Sequence, residues 1–323
     1  MSEKCNLDYH FSRHVHLVSL EKARNQLLDG CTAGEILSHP PSQSGSAASS
    51  AIRVRRVIPW ATIVHRIFVV LMFLFMLCPL ILVVWLSFFK DAILFFPPSG
   101  YTTTWYARAW ERPAFVDGFV FSLQLAALSA VIGVALGVLA ALGIARFRFA
   151  GSKSVNTLLL SPLLIPGIVA GVAIYLFYLQ AENFFDRDIV GTFGGLVVAH
   201  VCLTIPWTVR LVSAGMAGLD GSIEEAARNL GASGFVAFTR ITLPMLRPSI
   251  VAAALFSFVV SFENLELSLS LVGPGKTTLP IAIMQYLEFN LDPTIAAVAS
   301  VQILLLGIIM LVTDRYVKLS QVV

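Results

Sequence analysis

Glu263 and Glu266 stand out first, because they lie in SFENLELSLS inside a stretch, 249–272, that is otherwise apolar. An ionised carboxylate in a hydrocarbon layer costs ~2.5 kcal/mol or more, so both should face protein or water. At i and i+3 they are expected to share one helix face. About 14 residues at ~1.5 Å each from Ser249 would then carry Glu263 past the midplane. Two acids on such a stripe suit an amine or another cation; the plainer alternative pairs them with a basic residue of a partner subunit or leaves them in an external vestibule. His200, in a second apolar run, reads either as a packed, hydrogen-bonded histidine or as a substrate contact. With Cys202 it makes no convergent catalytic set. His10, His14 and His16 with Cys5 and Cys31 could ligate a metal, but a solvated tail with incidental histidines is the better explanation, and no metal site is assigned. The string Gly273-Pro274-Gly275-Lys276-Thr277 looks like the end of a phosphate-binding loop. The required first glycine falls at Ser270 and no strand precedes it, so it is read as a turn.

A second group lies in one long polar connection, residues 219–250, LDGSIEEAARNLGASGFVAFTRITLPMLRPSI. Ser222 and Glu225 have capping-box spacing and predict a short helix starting at Ser222. Glu224, Glu225, Ala226, Ala227, Arg228 and Leu230 favour helix, and Gly231 supplies a residue that can turn left-handed beyond its end. A second helix is expected from Ser233 or Gly234 with Phe235, Phe238 and Ile241 at threefold spacing, stopping near Pro244. A plain connection needs only a few residues. Two short helices meeting at a glycine therefore form a knob, either a docking surface or an interfacial helix pair lying on lipid.

The elements that must carry these residues follow from composition. Hydrophobic residues make up 57% of the 323 residues and charged ones only 13%, about half the ~25% usual in soluble domains. That excludes an ordinary soluble enzyme, a nucleic-acid binder and a disordered regulator, and leaves an all-α polytopic membrane protein. Six apolar segments, 67–89, 118–145, 155–179, 190–212, 249–272 and 295–312, are each near the ~20 residues needed to span a bilayer. Residues 1–52 are different: nine mixed charges and a Ser/Ala/Gly/Pro tract predict a mostly disordered cytoplasmic extension in front of a 53–323 membrane domain. Gly133-x-x-x-Gly137 and Gly167-x-x-x-Gly171 are helix-packing signals. Pro162, Pro166 and Pro206 should bend the third and fourth spans.

Orientation follows from basic residues retained on the cytoplasmic side. Arg53, Arg55, Arg56 and Arg66 precede the first span, Arg146, Arg148 and Lys153 fill the second loop, Arg210, Arg228, Arg240 and Arg247 mark the fourth, and Arg315 with Lys318 follows the last. Both termini and the 219–250 loop are expected in the cytoplasm.

Glu225-Ala226-Ala227, three residues, Gly231, nine residues, then Ile241-x-Leu243-Pro244 resembles in every defined position the EAA motif of permease subunits in binding-protein-dependent ABC importers, and it lies between the fourth and fifth of six spans as in that family. The resemblance implies a MetI-like ABC type I importer permease fold over roughly 66–318. It implies that the loop is the coupling helix seated on a separate ATPase. Glu225 would be the polar contact or its capping partner, Ala226 and Ala227 would permit close approach, and Gly231 would set the angle between the helices. ATP and Mg would be bound by that ATPase, present in two copies, and not by this chain. Further implied partners are a second, homologous permease subunit, an external solute-binding protein and membrane lipid, with no nucleic acid, in the bacterial inner membrane.

The stretches PLLIPGIVAGVA, AHVCLTIPWTVR and LVGPGKTTLPIAIMQYLEFNLDPTIAAVAS resemble the spermidine/putrescine branch of the family, so a polyamine is the implied substrate. The branch also contains carriers of opines and phosphonates, which stay open as alternatives. A secondary transporter would need an ionisable relay or an inverted repeat that the sequence does not display.

Overall fold

In a computed structural model the described residues are 60–317, apart from Leu94 and Arg148. The tail 1–52 and its histidine and cysteine cluster lie outside them. Among the described residues the chain is helical, with one isolated antiparallel bridge, Phe89 to Tyr101, and no longer strand pairing. Six helices are long and apolar enough to cross a membrane, Ile63–Leu86, Pro113–Arg146, Gly167–Phe185, Phe193–Ala217, Gly234–Phe262 and Thr294–Arg315. The six-span expectation is met.

Helix α1 (Trp60–Leu86) is apolar on all sides and stays almost wholly exposed, as a lipid-facing helix must be when no neighbour covers it. A short amphipathic α2 (Thr104–Glu111) follows, tied back by Trp105, whose indole N–H donates to the Phe89 carbonyl at 2.6 Å. Helix α3 (Pro113–Arg146) starts on a proline, where a missing N–H costs nothing. Next come α4 (Ser152–Leu160), α5 (Gly167–Phe185) and α6 (Phe193–Ala217).

Helices α3 and α6 form the centre together with α9 (Leu243–Phe262). Between helices in lipid there is little hydrophobic drive, so close backbone approach and polar side-chain bonds must hold them. Both occur here. A Cβ on Gly133 would collide with the Thr204 hydroxyl, and one on Gly137 would lie 2.6 Å from the Thr208 Cβ. Thr208 and Ser257 are joined by a 3.2 Å hydroxyl contact, and all of Ser129, Thr204, Thr208 and Ser257 are buried.

Two expected spans are not single helices. The third, 155–179, is interrupted after α4 by a 3-10 turn, Ser161–Leu164, and α5 begins only after Pro166. Two prolines four residues apart remove two backbone donors, and the second holds Ile165 extended (ψ 128°). Pro206, by contrast, is accommodated inside the continuous helix α6. The fifth span, 249–272, breaks after Phe262 and resumes as α10 (Glu266–Leu271). The cause is local side-chain competition for the backbone: Asn264 Oδ1 accepts from the Leu267 N–H at 2.9 Å, and Ser268 Oγ donates to the Asn264 carbonyl at 2.8 Å.

After the Gly273 to Thr277 turn, where Gly275 has φ +75°, the connection between the fifth and sixth spans contains an unexpected 11-residue helix, α11 (Leu279–Phe289). Its Leu279 N–H donates to Ser122 Oγ of α3 at 2.9 Å. The chain ends with α12 (Thr294–Val317).

Candidate functional site

The knob expected at 219–250 is formed by α7 (Gly221–Asn229) and α8 (Gly234–Ala237) with Gly231 between them. Helix α7 starts at Gly221, one residue earlier than the capping-box spacing predicts. Its cap is Asp220, whose Oδ1 accepts from the Ser222 N–H at 3.0 Å. An aspartate at the N-terminus also complements the helix dipole, and those bonds to Ser222 hold its carboxyl below the usual range. Ser233 caps α8 through the Val236 N–H at 3.3 Å.

Gly231 has φ +92°, a backbone region L side chains rarely adopt, and open space around its Cα. It is therefore required by conformation and not by crowding. The second helix does not stop at Pro244. It passes through one π-turn, Phe238–Thr242, into α9, with Pro244 in the first turn of that helix. The widened turn absorbs the register around a proline that cannot donate to the preceding helix.

Of the motif residues, Glu225 and Ala226 are exposed, Ala227 and Ile241 half-buried, and Leu243 and Pro244 exposed. Glu225 makes no side-chain hydrogen bond among the described residues. Around it the loop presents Leu230 at 89% exposure and Phe235 at 76%. Exposed large apolar side chains in a loop that also carries an unbonded carboxylate make a surface that suits a partner.

The neighbouring Glu224, read above only as a helix former, behaves oppositely. Its carboxylate accepts from Thr242 Oγ1 at 2.6 Å, from Arg146 Nη2 at 2.7 Å and from Arg228 Nη2 at 2.7 Å. The Thr242 hydrogen bond first, and then the two guanidinium groups, hold its carboxyl below the usual carboxylate range. A depressed value means that the arrangement is complete above the ordinary range of ~4.3 and is lost only as the pH falls through the lowered one. The i, i+4 spacing of Glu224 and Arg228 is a signal in the sequence; the link to Arg146, 78 positions away, is not.

The two span carboxylates are not on one helix face, because the break at 263–265 separates them. Glu263 accepts from Gln302 Nε2 of α12 at 3.3 Å. Glu266 opens α10 and its carboxylate lies against Gly167, the first residue of α5, where a Cβ would collide with it. There it faces the positive end of that helix. Both remain exposed, yet they diverge toward different neighbours.

His200 presents no surface in this conformation. It is 0% exposed, with Nδ1 at 2.8 Å from Ser261 Oγ and Nε2 at 3.2 Å from Ser268 Oγ. It therefore links α6 to both sides of the break in the fifth span, and the structure does not set it along a path with the two acids.

Comparison with known proteins places this architecture. Residues 133–320 match the family described as the binding-protein-dependent transport system inner membrane component. The chain is 30% identical over 256 residues to the putrescine transport system permease protein PotI of Escherichia coli (strain K12), covering 78% of this chain and 88% of that one. It is 27% identical over 219 residues to the spermidine/putrescine transport system permease protein PotC of the same strain, covering 68% and 80%. The fold resembles the crystal structure of a bacterial alginate ABC transporter in complex with an alginate pentasaccharide-bound periplasmic protein, with a TM-score of 0.61 at 18% identity over 79% of this chain and 93% of that one. The expected all-α permease fold is therefore met. With six apolar helices, an EAA-type loop and relatives of near-full length, the chain belongs to the binding-protein-dependent transport system inner membrane component family, as a multi-pass inner-membrane permease subunit of an ABC importer.

Proposed function

We propose that this subunit forms half of the membrane path for a polyamine and couples it to a separate ATPase through residues 219–250. The observation that carries the substrate reading is the similarity along 88% of the length of a relative named for putrescine transport. The exposed carboxylates of Glu263 and Glu266 agree with it, since a cationic solute needs anionic or polar surroundings where the bilayer offers none. Their divergence gives the pair a sequential use, one acid after the other along the path.

On the cytoplasmic side, Glu225, Ala226, Ala227 and Gly231, with Ile241, Leu243 and Pro244 behind them, seat α7 in a groove of an ABC ATPase present in two copies. That ATPase holds the ATP and Mg, and this chain contributes no nucleotide site. A second, homologous permease completes the path, and an external solute-binding protein delivers the solute. Closure of the ATPase pair then biases the path between inward-open and outward-open states through differential contacts at the loop.

The test is titration of the cognate external binding protein with putrescine, spermidine, an opine and a phosphonate, followed by uptake into proteoliposomes that contain the whole complex. Polyamine binding with ATP-dependent uptake is the expected result. Binding confined to the opine or the phosphonate overturns the substrate reading, and uptake that persists without ATP overturns the mechanism. Within the same system, Glu263→Gln with Glu266→Gln should reduce polyamine uptake about tenfold, the consequence of losing ~1.4 kcal/mol of interaction. Unchanged kinetics would remove both acids from the path.

A further inference from the structure

Three elements meet at one carboxylate outside the spans. Arg146 is the last residue of α3, Arg228 lies one turn along α7 from Glu224, and Thr242 closes the π-turn that leads into α9. All three donate to Glu224, at 2.7, 2.7 and 2.6 Å. The Arg146 guanidinium also lies over the Phe238 ring, 4.5 Å from its centroid, so the end of α3 grips the π-turn as well as α7. Thr242 is 7% exposed.

An ordinary i, i+4 pair would tie Glu224 only to its own helix. Here two of the three donors belong to other elements. Without them no polar side-chain bond among the described residues would tie α7 to another element, leaving the main chain through Leu219 and the left-handed Gly231 and the packing of Ile223 near Ile241 and Met245. Short chain segments of that kind pivot, and a pivoting helix loses displacement before it reaches the spans. Transmission through a rigid element requires that the element move with what it drives.

We propose that Glu224, bracketed by Arg146 and Thr242, is a positioning residue that makes α7 move as one body with α3 and α9, so that displacement of the docking surface becomes displacement of those two spans. The proposal rests on the docking role of residues 219–250 argued above. Glu225 and Glu224 then divide the labour, the exposed acid meeting the partner and the bonded one holding the helix to the membrane domain.

The experiment measures solute imported per ATP hydrolysed by the complete transporter in proteoliposomes, for Glu224→Gln, Arg146→Met, the double variant, and Arg146→Lys. The expected result is a complex that assembles and hydrolyses ATP near the wild-type rate while the import ratio falls about fivefold or more. The double variant falls by less than the product of the two single effects, because both weaken the Arg146–Glu224 link. Arg146→Lys keeps the charge and recovers most of the ratio. A purely structural loop residue lowers assembly and hydrolysis together and leaves the ratio of the surviving complex unchanged, and that outcome overturns the proposal. Should the charge variants fail to assemble, Thr242→Val deletes a single hydroxyl and gives the same readout, with an unchanged ratio again counting against the bracket. Crosslinking of Glu225→Cys to the ATPase subunit, in an otherwise wild-type chain, tests the docking role separately. No crosslink there sinks the docking role, and the bracket with it, whatever the ratio does.

Discussion

Two glycines show how the same substitution acts through different physics. Gly231 has open space but φ +92°, whereas Gly137 has ordinary helical geometry but no room: a Cβ there would meet the Thr208 Cβ at 2.6 Å and the Ile205 carbonyl oxygen at 3.2 Å. Gly231→Val strains one exposed backbone position by ~1–2 kcal/mol. It should leave the protein inserted, with a thermal midpoint in detergent lowered by a few degrees at most, while transport is lost because the angle between α7 and α8 changes. Gly137→Val instead forces α3 and α6 apart, at a cost of ~1–3 kcal/mol. Its midpoint should fall, and adding Thr208→Ala should recover only part of the loss, since the Ile205 carbonyl stays in place. Equal midpoints for the two variants would contradict this division. Both glycines are visible in the sequence, one as a helix terminator and one as a packing signal. The sequence does not reveal that Thr204 and Thr208 are the residues accommodated at the packing glycines, because that pairing depends on the rotation of α6 about its own axis.

At the scale of elements, the breaks in the third and fifth spans are the features that hydropathy conceals. A window average registers the apolar mass of 155–179 and 249–272, but backbone continuity is decided by single residues, Pro162 and Pro166 in one case and Asn264 in the other. The prolines are legible in the sequence as bends; their spacing in fact ends one helix and starts another. Asn264 gives no such signal, because an asparagine between two glutamates looks like one more polar residue on a stripe. His200 spans the second break, bonding Ser261 before it and Ser268 after it from the neighbouring helix α6. Removing the ring leaves two buried hydroxyl groups without that partner and an empty volume between three helices. His200→Ala should therefore destabilise the protein by about 2 kcal/mol or more. It should also raise amide hydrogen exchange in 266–271 well before exchange rises in α3. Uniform exchange across both segments would mean that the histidine does not hold the break together.

For the whole molecule, the distribution of charge makes an orientation prediction that hydropathy and fold similarity leave open. Short loops rich in Lys and Arg are retained in the cytoplasm. Arg146 and Lys153 flank the connection between α3 and α4, the α6 to α9 connection carries Arg228 and Arg240, and Arg247 lies near the start of α9. The turn between α5 and α6 sets one Arg187 against Glu182, Asp186 and Asp188, and Glu182 is committed there to the backbone N–H groups of Ile189 and Val190, both at 2.6 Å. Since Arg146 and Arg228 bond the same Glu224, the two basic connections must lie on one side of the bilayer. Side-chain geometry thus removes one freedom that counting alone leaves, and charge predicts the other. In a background with the four native cysteines replaced by serine, Asp188→Cys should react with a membrane-impermeant maleimide in intact cells. Asn229→Cys, at the end of α7, should react only after permeabilisation. The reverse pattern would turn the docking surface outward, away from any source of ATP, and would remove the basis for coupling through residues 219–250.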